Sequence, residues 1–181
     1  MSAGCGTGTK APPEAAGPSL APATSPIPPV NNPRDIAALS RRPCELLSPE
    51  QAQRFGLDLP PRQYDVALGD LGCEWITTTR DRERIRSVLI DTFTNNPTLE
   101  VAYSKRQGLP FFELTEIAGY PAIVTRANAD IASCDIDVKP AERQSFSLNY
   151  DSREFADNPQ QACEVGKQVA AAVLMNLPPK S

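Results

Sequence analysis

Five cysteines, scattered carboxylates and no histidine at all set the chemistry open to this chain of 181 residues. Without histidine the commonest general base is missing, and so are Ser-His and Cys-His nucleophile pairs. No Cys-x-x-Cys pair occurs, so the thiols do not carry zinc-site spacing and no metal is expected. Ser-x-x-Lys, the signature of another histidine-free hydrolase class, is absent too. Among the acids, Asp135 and Asp137 alternate within Cys134-Asp135-Ile136-Asp137-Val138. On a strand they share a face with Cα atoms roughly 7 Å apart, near the separation of paired glycosidase carboxylates. Alternating acids on an outer strand face are more often a solvated surface, and Asp81, Glu83 and Asp91 read the same way. The residues therefore predict no catalytic group, no cofactor and no enzyme.

Cys5 has a different chemistry available. It follows Ser2-Ala3-Gly4, the compact side chains required where a diacylglycerol is attached to a cysteine sulfur and the chain is cut before it. The apolar half of a signal peptide does not precede it, so residues before Cys5 are set aside from the fold. Cys5 is expected to be lipidated, with acyl chains such as palmitate as the membrane anchor. From Gly6 to Arg42 the chain is rich in proline and alanine and poor in large apolar residues. Such a segment buries too little surface to offset its ordering entropy, and its prolines favour a semi-extended spacer. Residues 1–42 are therefore read as lipidation site and disordered tether. As a coil its ends would lie on the order of 35 Å apart, and extended it would reach roughly 115 Å.

The remaining cysteines, Cys44, Cys73, Cys134 and Cys163, are an even number suited to two disulfides in an exported protein. Three connectivities are open. Cys44 with Cys73 and Cys134 with Cys163 is favoured, because each pair then staples a helix to a nearby strand, each closure contributing roughly 3.5 kcal/mol in the chain-entropy model.

The elements that must position these residues are legible in outline. Ser48-Pro49-Glu50-Gln51 is a capping box that opens a short helix ending at Gly56. Gly72 to Thr79 reads as a strand with Trp75 inward; Ile85 to Phe93 fits a helical face through Ile85, Val88 and Leu89 and alternation through Val88, Ile90 and Thr92, and strand is chosen. Thr98 to Gln107 is a short helix closed by Gly108. Phe111 to Ile117 and Ala122 to Arg126 form a hairpin around Ala118-Gly119-Tyr120-Pro121. Cys134 to Val138 buries Cys134, Ile136 and Val138 with Asp135 and Asp137 facing water, and Gln144 to Tyr150 alternates likewise. Asn158-Pro159 opens a long helix whose buried stripe includes Ala162, Val165, Val169 and Val173. Residues 43–179 thus form one α+β domain: an antiparallel sheet of five to six strands, helices packed on one side, two disulfides.

Pro43-Cys44-Glu45-Leu46-Leu47-Ser48-Pro49-Glu50-Gln51, Cys73-Glu74-Trp75, Gly119-Tyr120-Pro121-Ala122, Cys134-Asp135-Ile136-Asp137-Val138 and the late Ala162-Cys163 helix occur together and in order. This set resembles the actinobacterial lipoproteins of the domain-of-unknown-function 3558 family, from about Pro43 to Leu177. The resemblance implies a cell-envelope location and a cysteine-stapled domain, and supplies no catalytic residues.

The whole chain carries −4. Lys10, Arg34, Arg41 and Arg42 against Glu14 and Asp35 make the tail +2 and leave the domain at −6, a sign that argues against nucleic acid as partner. Tyr103, Phe111, Phe112 and Tyr120 are candidates for a ligand surface, with core packing the plainer account; Trp75 reads as core. Two functions fit. One is a non-catalytic, lipid-anchored interaction module outside the membrane, expected to be a monomer; the other is a carrier or sensor holding a small hydrophobic ligand between sheet and helix.

Overall fold

The computed structural model of the protein describes residues 26–67, 69–77 and 85–180, with Met1 besides. Cys5 and the spacer up to residue 25 lie outside the described residues, as do Asp81 and Glu83. Seven strands, β1 (Arg62–Asp65), β2 (Leu71–Ile76), β3 (Arg86–Phe93), β4 (Phe111–Ile117), β5 (Tyr120–Arg126), β6 (Ser133–Ala141) and β7 (Gln144–Ser152), form one antiparallel sheet in the order β1-β2-β3-β7-β6-β5-β4. Among the described residues, three α-helices, α1 (Pro49–Arg54), α2 (Thr98–Ser104) and α3 (Pro159–Asn176), complete a single α+β domain. The seventh strand is β1, whose Arg62-Gln63-Tyr64-Asp65 has one aromatic among polar residues and no apolar alternation to announce it. Cross-strand pairing to β2 holds it in place.

The first face of the sheet is apolar because inward residues align across strands. Ile136 of β6 stands opposite Leu148 of β7 and Val124 of β5, and Val138 opposite Phe146 and Ala122. All six are buried. Helix α3 lies over this face through Ala162, Cys163, Gly166, Val169, Ala170, Val173 and Leu174, while Val165 is only half-buried at the margin of the stripe. Packing there is tight: a Cβ on Gly166 would sit 2.8 Å from Ile136 Cδ1 and 3.3 Å from Tyr150 Cβ. Helix α1 has its capping box, with the Gln51 N–H donating to Ser48 Oγ at 3.2 Å and the Ser48 N–H donating to Gln51 Oε1 at 2.8 Å.

Helix α2 departs from the expected layering and packs on the other face. Leu99 meets Ile27 and Ile123, and Tyr103 meets Phe112 edge-on with ring centroids 5.9 Å apart. Ile123 lies between Ala122 and Val124 in β5, so its side chain points away from the face that α3 covers. The helix is also shorter than expected, giving way to a 3-10 turn over Arg106–Gly108. Strand β2 ends at Ile76, and Thr78 and Thr79 lie outside the described residues.

The hairpin turn is tighter than the sequence suggested. Ala118 (φ 51°) and Gly119 (φ 83°) make it alone, since two residues of positive φ close a twisted hairpin. Tyr120 and Pro121 belong to β5, with Pro121 just outside the stretch that pairs with β6, where its missing N–H costs no ladder bond.

The tether expected to run to residue 42 is part of the fold from residue 26 onward. Ile36 is completely buried, and its N–H donates to Gln144 Oε1 at 3.1 Å. Arg34 bridges to Pro179, and its guanidinium donates to the Leu177 carbonyl at 2.7 Å. Few apolar residues occur here, but Ile27 and Ile36 fall where the sheet leaves room for them.

Candidate functional site

Cys44 is bonded to Cys73 and Cys134 to Cys163. The first bridge joins the 3-10 turn Pro43–Leu46 to β2, and the second joins β6 to α3. Trp75, two residues beyond Cys73, is buried. Cys73, Cys134 and Cys163 are buried as well, whereas Cys44 is half-exposed. These are structural sulfurs, and among the clefts beside the elements they hold are one on each face of the sheet.

On the first face, α1 and β2 flank a cleft of about 490 Å³. Leu47, Ala52, Leu57, Leu59 and Trp75 line it together with the Cys44 side of the bridge. Leu59 is exposed there, and its N–H donates to the Ile76 carbonyl at 3.1 Å. The walls are apolar and the mouth is open to water.

The second face carries different chemistry. Opposed strands bring Leu89 and Asp91 of β3, Ser147 and Asn149 of β7, and Asp135 and Asp137 of β6 side by side. Helix α2 roofs one flank, leaving a cleft of about 460 Å³ whose wall includes the exposed Val101. Asp135 faces water as expected and accepts from Asn149 Nδ2 at 2.8 Å. Asp137 does not: it is half-buried against the start of α2 and accepts from the Ser147 hydroxyl. Burial pushes its carboxyl up to about 6; Asp135 adds to the rise, and the Ser147 hydrogen bond opposes it. Asp91 accepts from the Tyr64 hydroxyl at 2.6 Å. Burial raises the Asp91 carboxyl, against that hydrogen bond, and burial also raises the Tyr64 hydroxyl. Among the described residues, none of these three acids forms an ion pair.

Asp91 is the site residue that alternation left among ordinary surface acids. Gly72 sets its environment: the Tyr64 ring lies across this glycine to reach the carboxylate, and a Cβ on Gly72 would fall 2.5 Å from Asp91 Oδ1. The pairing of Tyr64 with Gly72 in register is the signal, but it needs β1 to be recognised first. The aromatic candidates do not assemble into a surface. Tyr120 is buried, its hydroxyl donating to the Asn32 carbonyl at 2.7 Å. Phe111 packs toward the main core beneath Arg126, while Phe112 of β4 packs against Tyr103 of α2 on the other face.

A small disulfide-bridged α+β domain, with one sheet face filled by α3 and the other left partly open and polar, is the class that fold and site define. The family described as Protein of unknown function (DUF3558) matches residues 1–176, and the chain belongs to it. Neither curated proteins nor solved structures give a match.

Proposed function

We propose that the protein is a non-catalytic interaction module of the cell envelope, held at the outer face of the membrane by a lipid on Cys5, with the open part of the second sheet face as its binding surface. The observation that carries this reading is the half-covered face itself. An antiparallel sheet can leave one face to water; here Asp91 and Ser147 lie in one cross-strand row and Asn149 and Asp135 in the next, beside an exposed Val101. Such a mixed floor suits a polar partner. Two disulfides support an oxidising compartment.

The cleft between α1 and β2 supports a second reading, a carrier of a small apolar ligand, because its volume falls within the ordinary ligand-pocket range. The space under α3 does not support it, since Gly166 is in contact with the sheet. Native mass spectrometry of protein purified from its own envelope separates the two. The interaction reading expects the acylated chain with no small molecule attached, and a co-purified apolar ligand lost on Leu57→Glu substitution overturns it. Metabolic labelling with a palmitate analogue tests the anchor: label on the wild type and none on Cys5→Ala is expected, and an unlabelled wild type removes the lipid from the proposal.

A further inference from the structure

The two ends of the sheet are built differently. At one, β1 is short, carries Arg62 and Asp65, and follows Pro60-Pro61; short, charged edges flanked by proline resist pairing with another chain. At the other, β4 also follows a proline, Pro110, and carries Glu113 and Glu116, but it runs over seven residues with no proline within it, in unbroken register with β5, so length is what sets this edge apart. Its exposed groups follow from the turn. Ile117 and Tyr120 flank a two-residue turn and so form a hydrogen-bonded pair. Counting back in twos, Phe111, Glu113, Thr115 and Ile117 direct their N–H and C=O groups toward β5, and Phe112, Leu114 and Glu116 direct theirs outward. Among the described residues, no backbone hydrogen bond reaches these three from outside the hairpin. Leu114 is also an exposed large apolar side chain.

We infer that β4 pairs antiparallel with β4 of a second copy of this chain, about a two-fold axis at Leu114. The argument for a second copy is self-complementarity. With the axis at Leu114, the outward groups of Phe112, Leu114 and Glu116 meet those of Glu116, Leu114 and Phe112, giving about six inter-chain hydrogen bonds. The two Leu114 side chains meet at the axis. Every acid faces a neutral residue, Glu116 against Phe112 and Glu113 against Thr115. The two Glu113 carboxylates stand on the diagonal, and each already holds its own Lys167 at 2.9 Å. Neighbouring registers are worse: an axis at Glu113 sets two carboxylates opposite each other, which is destabilising, and an axis at Thr115 runs Phe112 past the end of the facing strand. The interface uses neither cleft, so it stands independently of the proposed function, and it replaces the expected monomer with a symmetric dimer.

The test is sedimentation velocity on the full chain bearing Cys5→Ser, which removes any inter-chain bridge through that thiol, over a wide concentration series. A reversible monomer–dimer equilibrium is expected. Leu114→Pro removes only an outward N–H, and an edge strand tolerates that; Leu114→Lys brings two ammonium groups to the axis. Each variant is expected to weaken the dimer at least tenfold with an unchanged circular dichroism spectrum, and Leu114→Lys decides the matter alone should the proline variant not fold. Amide exchange at Leu114 and Glu116 is expected to slow as concentration rises, while that at Thr115 stays constant. A wild-type chain that remains monomeric throughout the series, or a dimer that Leu114→Lys leaves unchanged, overturns the inference.

Discussion

Asp137 shows how much one neighbour on the far side of a sheet alters a side chain that alternation places correctly. The pattern of β6 fixes that Asp135 and Asp137 share a face, yet it does not say that α2 returns across that face and covers only the second of them. That contact joins residues about forty positions apart, and nothing local marks it. The consequence is a stability that depends on pH. A carboxyl near 6 in the folded chain and near 4 in the unfolded one binds its proton more tightly when folded. The resulting stabilisation is complete below about pH 4 and is lost as pH rises through about 6, a change on the order of 3 kcal/mol. Asp137→Asn keeps an acceptor for Ser147 and has nothing to lose. Urea unfolding at the two ends of that window is expected to show the variant gaining on the wild type as pH rises; a difference independent of pH would refute the assignment to Asp137.

At the scale of elements, the capped helix α1, strands β6 and β7, and the long helix α3 were readable because each carries its own signal, a cap, an alternation or a stripe, whereas the residues of β3 fit a helical face as well as alternation. Strand β1 was not readable, since its only specification is a partner, Tyr64 lying over Gly72. The side of the sheet that α2 takes was equally invisible, because a seven-residue helix with a single buried leucine fits either face. Helix α3 shows the opposite case, in which a glycine inside a helix costs intrinsic propensity and is retained for closeness. Gly166→Val would drive a branched side chain into Ile136 and Tyr150. The expected loss is about 2–3 kcal/mol from overpacking, checked by thermal unfolding; a variant as stable as the wild type would show that the helix can ride outward freely.

Over the whole molecule, helix and strand signals flanking each cysteine favoured the pairing that the structure has without excluding the other two connectivities, while the inclusion of residues 26–42 was not legible, because proline-rich composition conceals two well-placed isoleucines. The two bridges close loops of the same sequence separation, 29, so chain entropy assigns them similar stabilisation of about 3.5 kcal/mol each. Access distinguishes them. Cys44 borders an open cleft, whereas Cys134 and Cys163 are both fully buried, and thiol–disulfide exchange requires the attacking thiolate to reach a sulfur. Mild reduction of the folded protein followed by alkylation and peptide mapping is expected to label Cys44 and Cys73 first; labelling of Cys134 and Cys163 at an equal rate would show that the second bridge opens by a route the packing does not suggest.

The segment from Ile27 to Arg42 also decides what happens under tension. The Asp35 N–H donates to Pro178, and the Lys180 N–H donates to Pro33, both at 2.9 Å, so the entering and leaving ends of the chain are zipped together. A pull applied on the N-terminal side of residue 27 peels that zipper first and is then arrested at Cys44, which is covalently clipped to β2, one strand in from the edge of the sheet. The slack released is at most some 60 Å at full extension. The domain thereby carries a short, self-limiting shock absorber, and the strands that form its open face stay assembled while it pays out.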